Sequence, residues 1–230
     1  MELKIVTVGM VPFSEDHLKY ISENIGIEPK ELIKLDSQTR LTIRGKDKES
    51  KIKTRAENAF EEFKGALQAE HIIVNPHGED DKESWEKRTW GVQLVIKQFQ
   101  AIIEKFKGRK ILLVLCGPSC VGKGPLEEVF FTEIFEQQKL NVGKAVIYVD
   151  IKQRPPRKGE SEGNPYHFRR LDEIKEMISK EPKRYIQYDV RGVTQVLDLN
   201  EIGKLLHEKD IVFVEIFYTA IPSLRKWASQ

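Results

Sequence analysis

Short apolar runs alternate along the chain with longer segments in which apolar residues recur every three or four positions. The runs have the length and composition of buried strands, and they are LKIVTV (3–8), HIIV (71–74), KILLVLC (110–116), KAVIYV (144–149) and IVFVEIFY (211–218). Buried strands that alternate with helices are typical of parallel sheets covered by helices. The pattern therefore predicts an α/β fold with three layers, αβα, and a mainly parallel sheet.

The segments between the strands carry helix signals. Ser14 is expected to cap a helix that starts at Glu15 and stops near Gly26, and a second helix is predicted over about 51–68. A third, long helix is predicted over about 82–106 and is ended by Gly108. Its apolar residues recur at helical spacing and form one face expected in the core: Trp85, Val92, Val95, Phe99, Ile102 and Phe106.

Composition narrows the class of protein. The 230 residues are 40% hydrophobic and 32% charged, with a net charge of +2, so the total charge gives no argument for binding nucleic acid or an acidic membrane. No window approaches 18 consecutive apolar residues, and the first residues lack a signal-peptide pattern. The only cysteines, Cys116 and Cys120, argue against a disulfide scaffold and are expected to be packing thiols. We expect a cytoplasmic globular protein.

The stretch LLVLCGPSCVGKGPLEEVFF (112–131) reads as a strand, a loop with glycines at its corners, and a helix. Gly117, Gly122 and Lys123 satisfy G-x-x-x-x-G-K, in which glycines let backbone N–H groups surround an anion and the lysine reaches the outer phosphates. The predicted nucleotide-binding residues are Gly117, Ser119, Val121, Gly122, Lys123 and Gly124. The alternative is a glycine turn without a ligand.

One feature of this loop departs from the usual motif. The position after the lysine normally carries a serine or threonine whose hydroxyl binds magnesium, but here Gly124 and then Pro125 follow. Pro125 suits the first turn of a helix but has no hydroxyl. Anion binding is expected to survive this change, whereas the positioning of a metal is in question.

A second segment, QRPPRKGESEGNPYHF (153–168), carries a family resemblance together with the loop GPSCVGKG. The pair resembles the guanylate kinase family, whose members have a GPSGxGKG or GPSGxGKS loop and then T-R-x-P-R-x-G-E…G-x-x-Y-x-F. The matching residues are Arg154, Pro156, Arg157, Gly159, Glu160, Gly163, Tyr166 and Phe168. The resemblance covers about 110–180 closely and 181–218 loosely, and does not extend to the first 108 residues.

The resemblance implies a kinase that moves the γ-phosphate of ATP, with Mg²⁺, to GMP or a similar acceptor. It implies that Arg154, Arg157 and Tyr166 hold the acceptor phosphate, and that Lys123 and the two arginines are catalytic. Forked guanidinium donors and a phenol on one segment suit a phosphate dianion on physical grounds as well. Solvated charges on a loop are the alternative.

Other elements of the family are matched poorly. The guanine-reading acidic residues have loose counterparts in Gln187 and Glu215. The tyrosine of the family's Y-G-T element is replaced near 191–194 by Arg191. An arginine-bearing lid has its only candidate in Arg225, so a partner or a second copy of the chain is a further expectation for supplying one.

The best domain boundary lies at about 107–109. We predict a guanylate-kinase-like domain over 109–230 and an α/β unit of unknown role over 1–108, which either stands alone or completes the same sheet. In the N-terminal part, His77, Glu79, Asp80 and Asp81 form one polar cluster. It is interpreted mainly as the acidic start of a helix, with a hard-metal or general-base site as the alternative.

Three functional hypotheses follow. The first is the phosphotransferase, with nucleotides as its partners. The second is a degenerate module of the same fold that binds a nucleotide or a phosphorylated partner without chemistry. The third is an enzyme of another class, with its site at the N-terminal cluster and a regulatory nucleotide site at the glycine loop.

Overall fold

The computed structural model of the chain describes residues 3–157 and 159–229. Its internal contacts divide the chain into two compact units. The first unit comprises the described residues of 1–5, 109–114 and 141–230, and the second comprises 6–108 and 115–140. The boundary predicted at 107–109, with a kinase-like domain beginning at residue 109, stays a prediction.

Helices and strands alternate along most of the chain. The strands are β1 (Lys4–Val11), β2 (His71–Val74), β3 (Ile111–Cys116), β4 (Val142–Lys144), β5 (Ile147–Asp150), β6 (Ser161–Glu162), β7 (Pro165–Arg169), β8 (Tyr185–Val190), β9 (Val193–Asp198) and β10 (Ile211–Glu215). The α-helices are α1 (Glu15–Ile25), α2 (Pro29–Arg44), α3 (Glu49–Ala66), α4 (Lys82–Glu86), α5 (Trp90–Glu104), α6 (Lys123–Val129), α7 (Phe135–Gln137), α8 (Leu171–Lys180), α9 (Leu199–Glu208) and α10 (Ile221–Ala228). A π-helical turn, Phe130–Ile134, joins α6 to α7.

The main sheet has five strands in the order β2-β1-β3-β10-β4. β1 pairs with β2 in parallel, from Val8 opposite His71 to Val11 opposite Val74. β10 pairs with β4 in parallel as well. Every residue of β3 is buried, as its unbroken apolar sequence indicates. The predicted α/β class with a mainly parallel sheet is confirmed.

A second sheet, of mixed direction, has the order β6-β7-β5-β9-β8 and was not predicted from the sequence. β5 pairs in parallel with β7, whereas β9 pairs antiparallel with both β5 and β8. The turn between β8 and β9 has two residues, Arg191 and Gly192, with φ of 54° and 80°. Two central residues with positive φ are typical of a tight hairpin whose twist matches that of its strands.

The predicted strand 144–149 was wrong in one respect, because the run is shared by two strands. β4 ends at Lys144 in the main sheet and β5 begins at Ile147 in the second. Between them, the Ala145 N–H donates to the Phe213 carbonyl (2.9 Å) and the Val146 N–H to Glu201 Oε1 (3.1 Å). These partners hold the chain where it passes from one sheet to the other.

The single long helix predicted over 82–106 was also wrong, since α4 and α5 are separated at 87–89. Arg88 has a φ of 50°, which an α-helix does not allow, and its guanidinium donates to the Trp85 carbonyl (2.5 Å). The predicted apolar face is nevertheless mainly buried, with Phe106 half-buried. The predicted caps of α1 are confirmed: Ser14 Oγ accepts from the His17 N–H, and Gly26 is left-handed.

Over the described residues, none of the helices combines the length and the apolar character that a membrane crossing needs.

Candidate functional site

The glycine loop, residues 117–122, lies in the second unit. It connects the end of β3 to the helical run that starts at α6. Its corners need unusual backbone angles: Gly117 has a φ of 151° and Gly122 a φ of 92°. A β-carbon on Gly117 would lie 2.2 Å from the Met10 carbonyl oxygen, so only glycine fits there. The strand–loop–helix context that phosphate binding requires is present.

Lys123 folds back over this loop. Its ammonium group donates to the carbonyl oxygens of Gly117 (2.9 Å) and Pro118 (2.7 Å), and the residue is 8% exposed. The other residues predicted to surround a phosphate belong to this loop or directly follow Lys123: Gly117, Ser119, Val121, Gly122 and Gly124. Their roles in nucleotide binding stay predictions.

The loop after β2 supports the glycine loop, a feature that the sequence did not reveal. The side-chain amide of the fully buried Asn75 donates to the carbonyls of Val121 (2.8 Å) and His77 (2.5 Å). The Glu79 N–H donates to the Cys120 carbonyl (3.2 Å). Asn75 also lies so close that a β-carbon on Gly122 would be 2.4 Å from its amide nitrogen. The N-terminal residues thus form part of the wall of the glycine loop.

A chain of ion pairs extends from this wall into α2 and α3. Arg44 donates to Glu79 Oε2 (2.9 Å) and to Asp47 Oδ2 (2.5 Å), and Arg55 approaches the same Asp47 oxygen (3.3 Å). Burial raises the pKa of Glu79, but the positive charges of Arg44 and Lys123 outweigh burial and hold that pKa below its ordinary value. Glu79 is therefore a carboxylate at neutral pH.

The cluster NPHGEDD divides into separate roles. Asp81 caps α4 by accepting from the Ser84 N–H (3.1 Å) and pairs with His77 Nδ1 (2.9 Å). These hydrogen bonds lower the pKa of Asp81 against the opposing effect of its burial. Among the described residues, no three histidine, cysteine, aspartate or glutamate side chains are grouped so that they could hold a metal ion. The helix-start interpretation fits Asp81, whereas Glu79 faces the glycine loop.

Both cysteines are buried thiols. Burial raises the pKa of Cys120 to about 11, so it is a protonated thiol at neutral pH. This agrees with the prediction of a packing role.

The arginine segment, residues 153–157 and 159–168, lies in the first unit, after β5. Arg154 donates to both carboxylate oxygens of Glu160 (2.6 Å each), and the same carboxylate accepts from the Arg157 N–H (2.8 Å). Arg154 also stacks on the Tyr166 ring, with its guanidinium carbon 4.8 Å from the ring centre. Glu160, which the sequence matched only as a family residue, therefore holds the segment in shape.

Tyr166 lies at the centre of this group of charges. Burial, and then Glu215, raise the pKa of Tyr166 to about 12, while Arg154 and Arg157 act in the opposite direction. Arg154, Arg157 and Glu215 thus all lie within electrostatic reach of the Tyr166 phenol. Their binding of an acceptor stays a prediction.

Tyr188 on β8 belongs to the same group but was not predicted. It is buried, and among the described residues its hydroxyl has no hydrogen-bond partner. Burial raises its pKa well above the ordinary value, with further contributions from Tyr166 and Glu215. A buried hydroxyl without a partner is costly and is frequent at functional sites.

Gln187 lies on the other face of the second sheet. Gln187 is exposed. The strand register aligns it across the sheet with Val196, Tyr148 and His167, so the four side chains share one face. Tyr166 is the neighbour of His167 in β7, and adjacent side chains of a strand lie on opposite faces of the sheet. The structure therefore does not bring Gln187 to the Tyr166 face, and its role in recognising a base stays a prediction.

The remaining candidates are placed as follows. Arg191 lies in the β8–β9 turn, with its guanidinium carbon 5.9 Å from the Phe217 ring centre. Arg225 is exposed on α10. The role of Arg225 in a lid stays a prediction.

Comparison with known proteins identifies the matched part of the chain. The family model for guanylate kinase matches residues 109–224, which is half of the chain. The guanylate kinase of Mycoplasma mobile is 32% identical over 117 residues, covering 50% of this chain and 54% of that protein. The guanylate kinase of Lactococcus lactis is 37% identical over 109 residues, covering 47% and 48%. That of Bacillus subtilis is 37% identical over 73 residues, covering 32% of each.

The chain thus spans about half the length, or less, of these curated relatives. The matched half contains the glycine loop, the arginine segment, Tyr166 and Glu215. On this evidence the chain belongs to the guanylate kinase family.

Proposed function

We propose that this protein is a nucleoside monophosphate kinase that transfers the γ-phosphate of ATP to a nucleoside monophosphate, with GMP as the first acceptor to test. The observation that carries the proposal is the group formed by Arg154, Arg157 and Tyr166 within the family-matched segment. Arg154 stacks on the Tyr166 ring, and Arg157 lies within electrostatic reach of the same phenol. Two cations and a hydroxyl so placed suit the phosphate of an acceptor.

The donor phosphates are assigned to the glycine loop. Lys123 now donates to two carbonyls of its own loop, which a triphosphate would replace with better, charged acceptors. The backbone N–H groups and the start of the helical run at residue 123 add further donors and a positive dipole end. Together they would neutralise charge that develops on the transferred phosphoryl group.

The proposed mechanism is one of positioning and electrostatics. Lys123 holds the donor phosphates, while the arginines orient the acceptor phosphate and balance its charge. Glu160 keeps Arg154 in place through both carboxylate oxygens. Bound Mg²⁺ would supply further positive charge at the donor phosphates held by Lys123 and the glycine loop. We also propose that the protein works in the cytoplasm with nucleotides as its partners, and that a second copy or a partner supplies a lid.

The test is a coupled assay of ADP release with ATP, Mg²⁺ and a panel of nucleoside monophosphates. We expect turnover with one acceptor, and a loss of kcat by about 10²-fold or more in Lys123→Ala, because a charged group that stabilises the transition state is removed. Lys97→Ala, a lysine of α5 outside the loop, is the matched control and should keep the wild-type rate.

A second candidate function is a binding module of the same fold without chemistry. Pro125, which has no hydroxyl for a metal, and Gln187, which lies away from the Tyr166 face, favour it. It predicts thermal stabilisation by nucleotide that Lys123→Ala abolishes, with no ADP released from any acceptor. That result would overturn the kinase proposal.

A further inference from the structure

We propose that Glu79, which lies outside the family-matched half, supplies the oxygen ligand for Mg²⁺ that the glycine loop itself lacks, either directly or through one water molecule. This inference rests on the proposed function, because the metal would arrive with the nucleotide phosphates. It gives the N-terminal residues a part in the donor site.

The position of the Glu79 carboxylate is the first observation. A β-carbon built on Gly124 would lie 3.8 Å from Glu79 Oε1, which is the nearest described atom apart from its chain neighbours and the backbone of its own helix. Gly124 is the position from which a serine or threonine hydroxyl projects in the usual motif. A carboxylate oxygen therefore stands beside the place where the missing hydroxyl would be.

The second observation is the way in which Glu79 is held. Its Oε2 accepts from Arg44, which is itself fixed by Asp47, and both of these side chains are almost fully buried. The Glu79 N–H is bonded to the Cys120 carbonyl of the glycine loop. One oxygen is thus anchored through a chain of partners, while the other is directed towards Gly124. Anchoring of this kind orients a metal ligand.

Close packing of the two loops requires a special residue next to Glu79. A β-carbon on Gly78 would lie 2.4 Å from the Cys120 carbonyl oxygen and 2.2 Å from Asp80 Oδ1. Glycine at this position lets the Glu79 backbone reach the glycine loop. The local sequence therefore permits the approach that the proposal needs.

Electrostatics supports a bridging cation. Glu79 is ionised, and the positive charge of Lys123 contributes to lowering its pKa. The carboxylate is therefore within electrostatic reach of the lysine that would hold the donor phosphates. A carboxylate beside a triphosphate is repulsive unless a cation lies between them. Mg²⁺ prefers hard oxygen ligands, and it is usually held by one or two carboxylates together with substrate phosphates and waters. The donor set of Glu79 and nucleotide oxygens fits that preference.

The alternative is that Glu79 is only a structural partner of Arg44. The two interpretations differ in what happens to the affinity for metal. Mn²⁺ is a paramagnetic substitute for Mg²⁺, so its binding to the protein with the non-hydrolysable analogue AMP-PNP can be measured by electron paramagnetic resonance. AMP-PNP binding in EDTA is measured in parallel by calorimetry.

We expect Glu79→Gln to weaken Mn²⁺ binding to the AMP-PNP complex about tenfold or more. Its affinity for AMP-PNP in EDTA should stay the same or increase, because a negative charge is removed while the amide oxygen still accepts from Arg44. Glu83→Gln, the same change at an exposed position of α4, is the matched control and should bind Mn²⁺ like the wild type. Adding Gly124→Ser to Glu79→Gln supplies a hydroxyl and should restore much of the affinity for Mn²⁺.

Unchanged Mn²⁺ affinity in Glu79→Gln, with AMP-PNP still bound, would overturn the inference and leave the proposed function intact. A parallel loss of AMP-PNP affinity in EDTA would show that the change disturbs the loop, and it would favour the structural role unless Gly124→Ser restores metal binding. If the wild-type protein binds no AMP-PNP under any condition, the proposed function fails and this inference fails with it.

Discussion

At the scale of single residues, Tyr188 shows how a side chain gains meaning only in the folded protein. Its position in the sequence carries no motif. In the folded protein its buried hydroxyl lacks a hydrogen-bond partner among the described residues. Tyr166 and Glu215 are close enough to contribute to raising its pKa. Such a group costs about 1–3 kcal/mol when nothing satisfies it. A bound acceptor that accepts from this hydroxyl would remove the cost.

We therefore predict opposite effects of Tyr188→Phe on stability and on binding. The free energy of unfolding, from urea denaturation, should rise by about 1 kcal/mol, because an unsatisfied hydroxyl is removed. The KM for the nucleoside monophosphate should rise several-fold, while the KM for ATP stays unchanged. Tyr185→Phe alters a tyrosine on the opposite alternation of β8 and should change neither KM. A variant that is less stable and has an unaltered KM would contradict the assignment.

Residue types and spacing could predict the glycine loop and the arginine segment, because both depend on short motifs. They could not predict the partners of those residues. Glu160 lies six positions after Arg154, but the bond from Arg157 back to the same carboxylate depends on the turn between them. The Arg44–Glu79 pair joins residues 35 positions apart, and no local pattern indicates it.

At the scale of elements, apolar runs predicted the central strands well because β3 and β10 are buried on both faces. Strands with exposed positions were missed. β8 alternates between buried and exposed residues, and its polar members Gln187 and Asp189 hide it from a search for apolar runs. The break between α4 and α5 was missed because the apolar period continues across it, whereas the Trp85 indole turns to the carbonyls of His77 and Gly78.

The β8–β9 turn provides a prediction at this scale. Gly192 has a φ of 80°, and a β-carbon added to it would contact no neighbouring atom. The cost of a side chain there would therefore come from backbone strain. Gly192→Ala should lower the free energy of unfolding by about 1 kcal/mol. Gly203→Ala is the matched control, because Gly203 lies within α9 and also has open space around it.

The control should change stability with the opposite sign. Alanine is a better helix former than glycine by about 1 kcal/mol, so Gly203→Ala should raise the free energy of unfolding. Urea denaturation followed by circular dichroism measures both variants. Equal effects of the two substitutions would show that the turn does not require glycine.

At the scale of the whole molecule, the family match and the compact units do not divide the chain at the same places. The match covers 109–224, whereas the second unit combines 115–140 with residues that precede the match. The glycine loop is thus a family motif whose walls, from Asn75 to Glu79, come from residues without a family match. No motif search could have assigned that role, since the relevant contacts join separate parts of the chain.

Acid stability offers a prediction for the molecule as a whole that rests on Glu160. Burial raises the pKa of Glu160, but its bonds from Arg154 and Arg157 outweigh burial and lower the pKa below the ordinary value of 4.5. A carboxylate whose pKa is lower in the folded state stabilises the fold above that ordinary value. The contribution is lost as the pH falls below 4.5 and through the folded pKa.

Glu160→Gln should therefore lower the free energy of unfolding at pH 7, by about 1–3 kcal/mol for a charged hydrogen-bonded pair. The difference from the wild type should shrink as the pH falls below 4.5 and through the lower pKa of the folded state, because the wild-type carboxylate becomes protonated. Urea denaturation at several pH values measures this difference. Glu176→Gln, an exposed glutamate paired with Lys180 on α8, should have little effect at any pH. A difference for Glu160→Gln that stays constant with pH would mean that packing, and not the ionised carboxylate, holds the arginine segment.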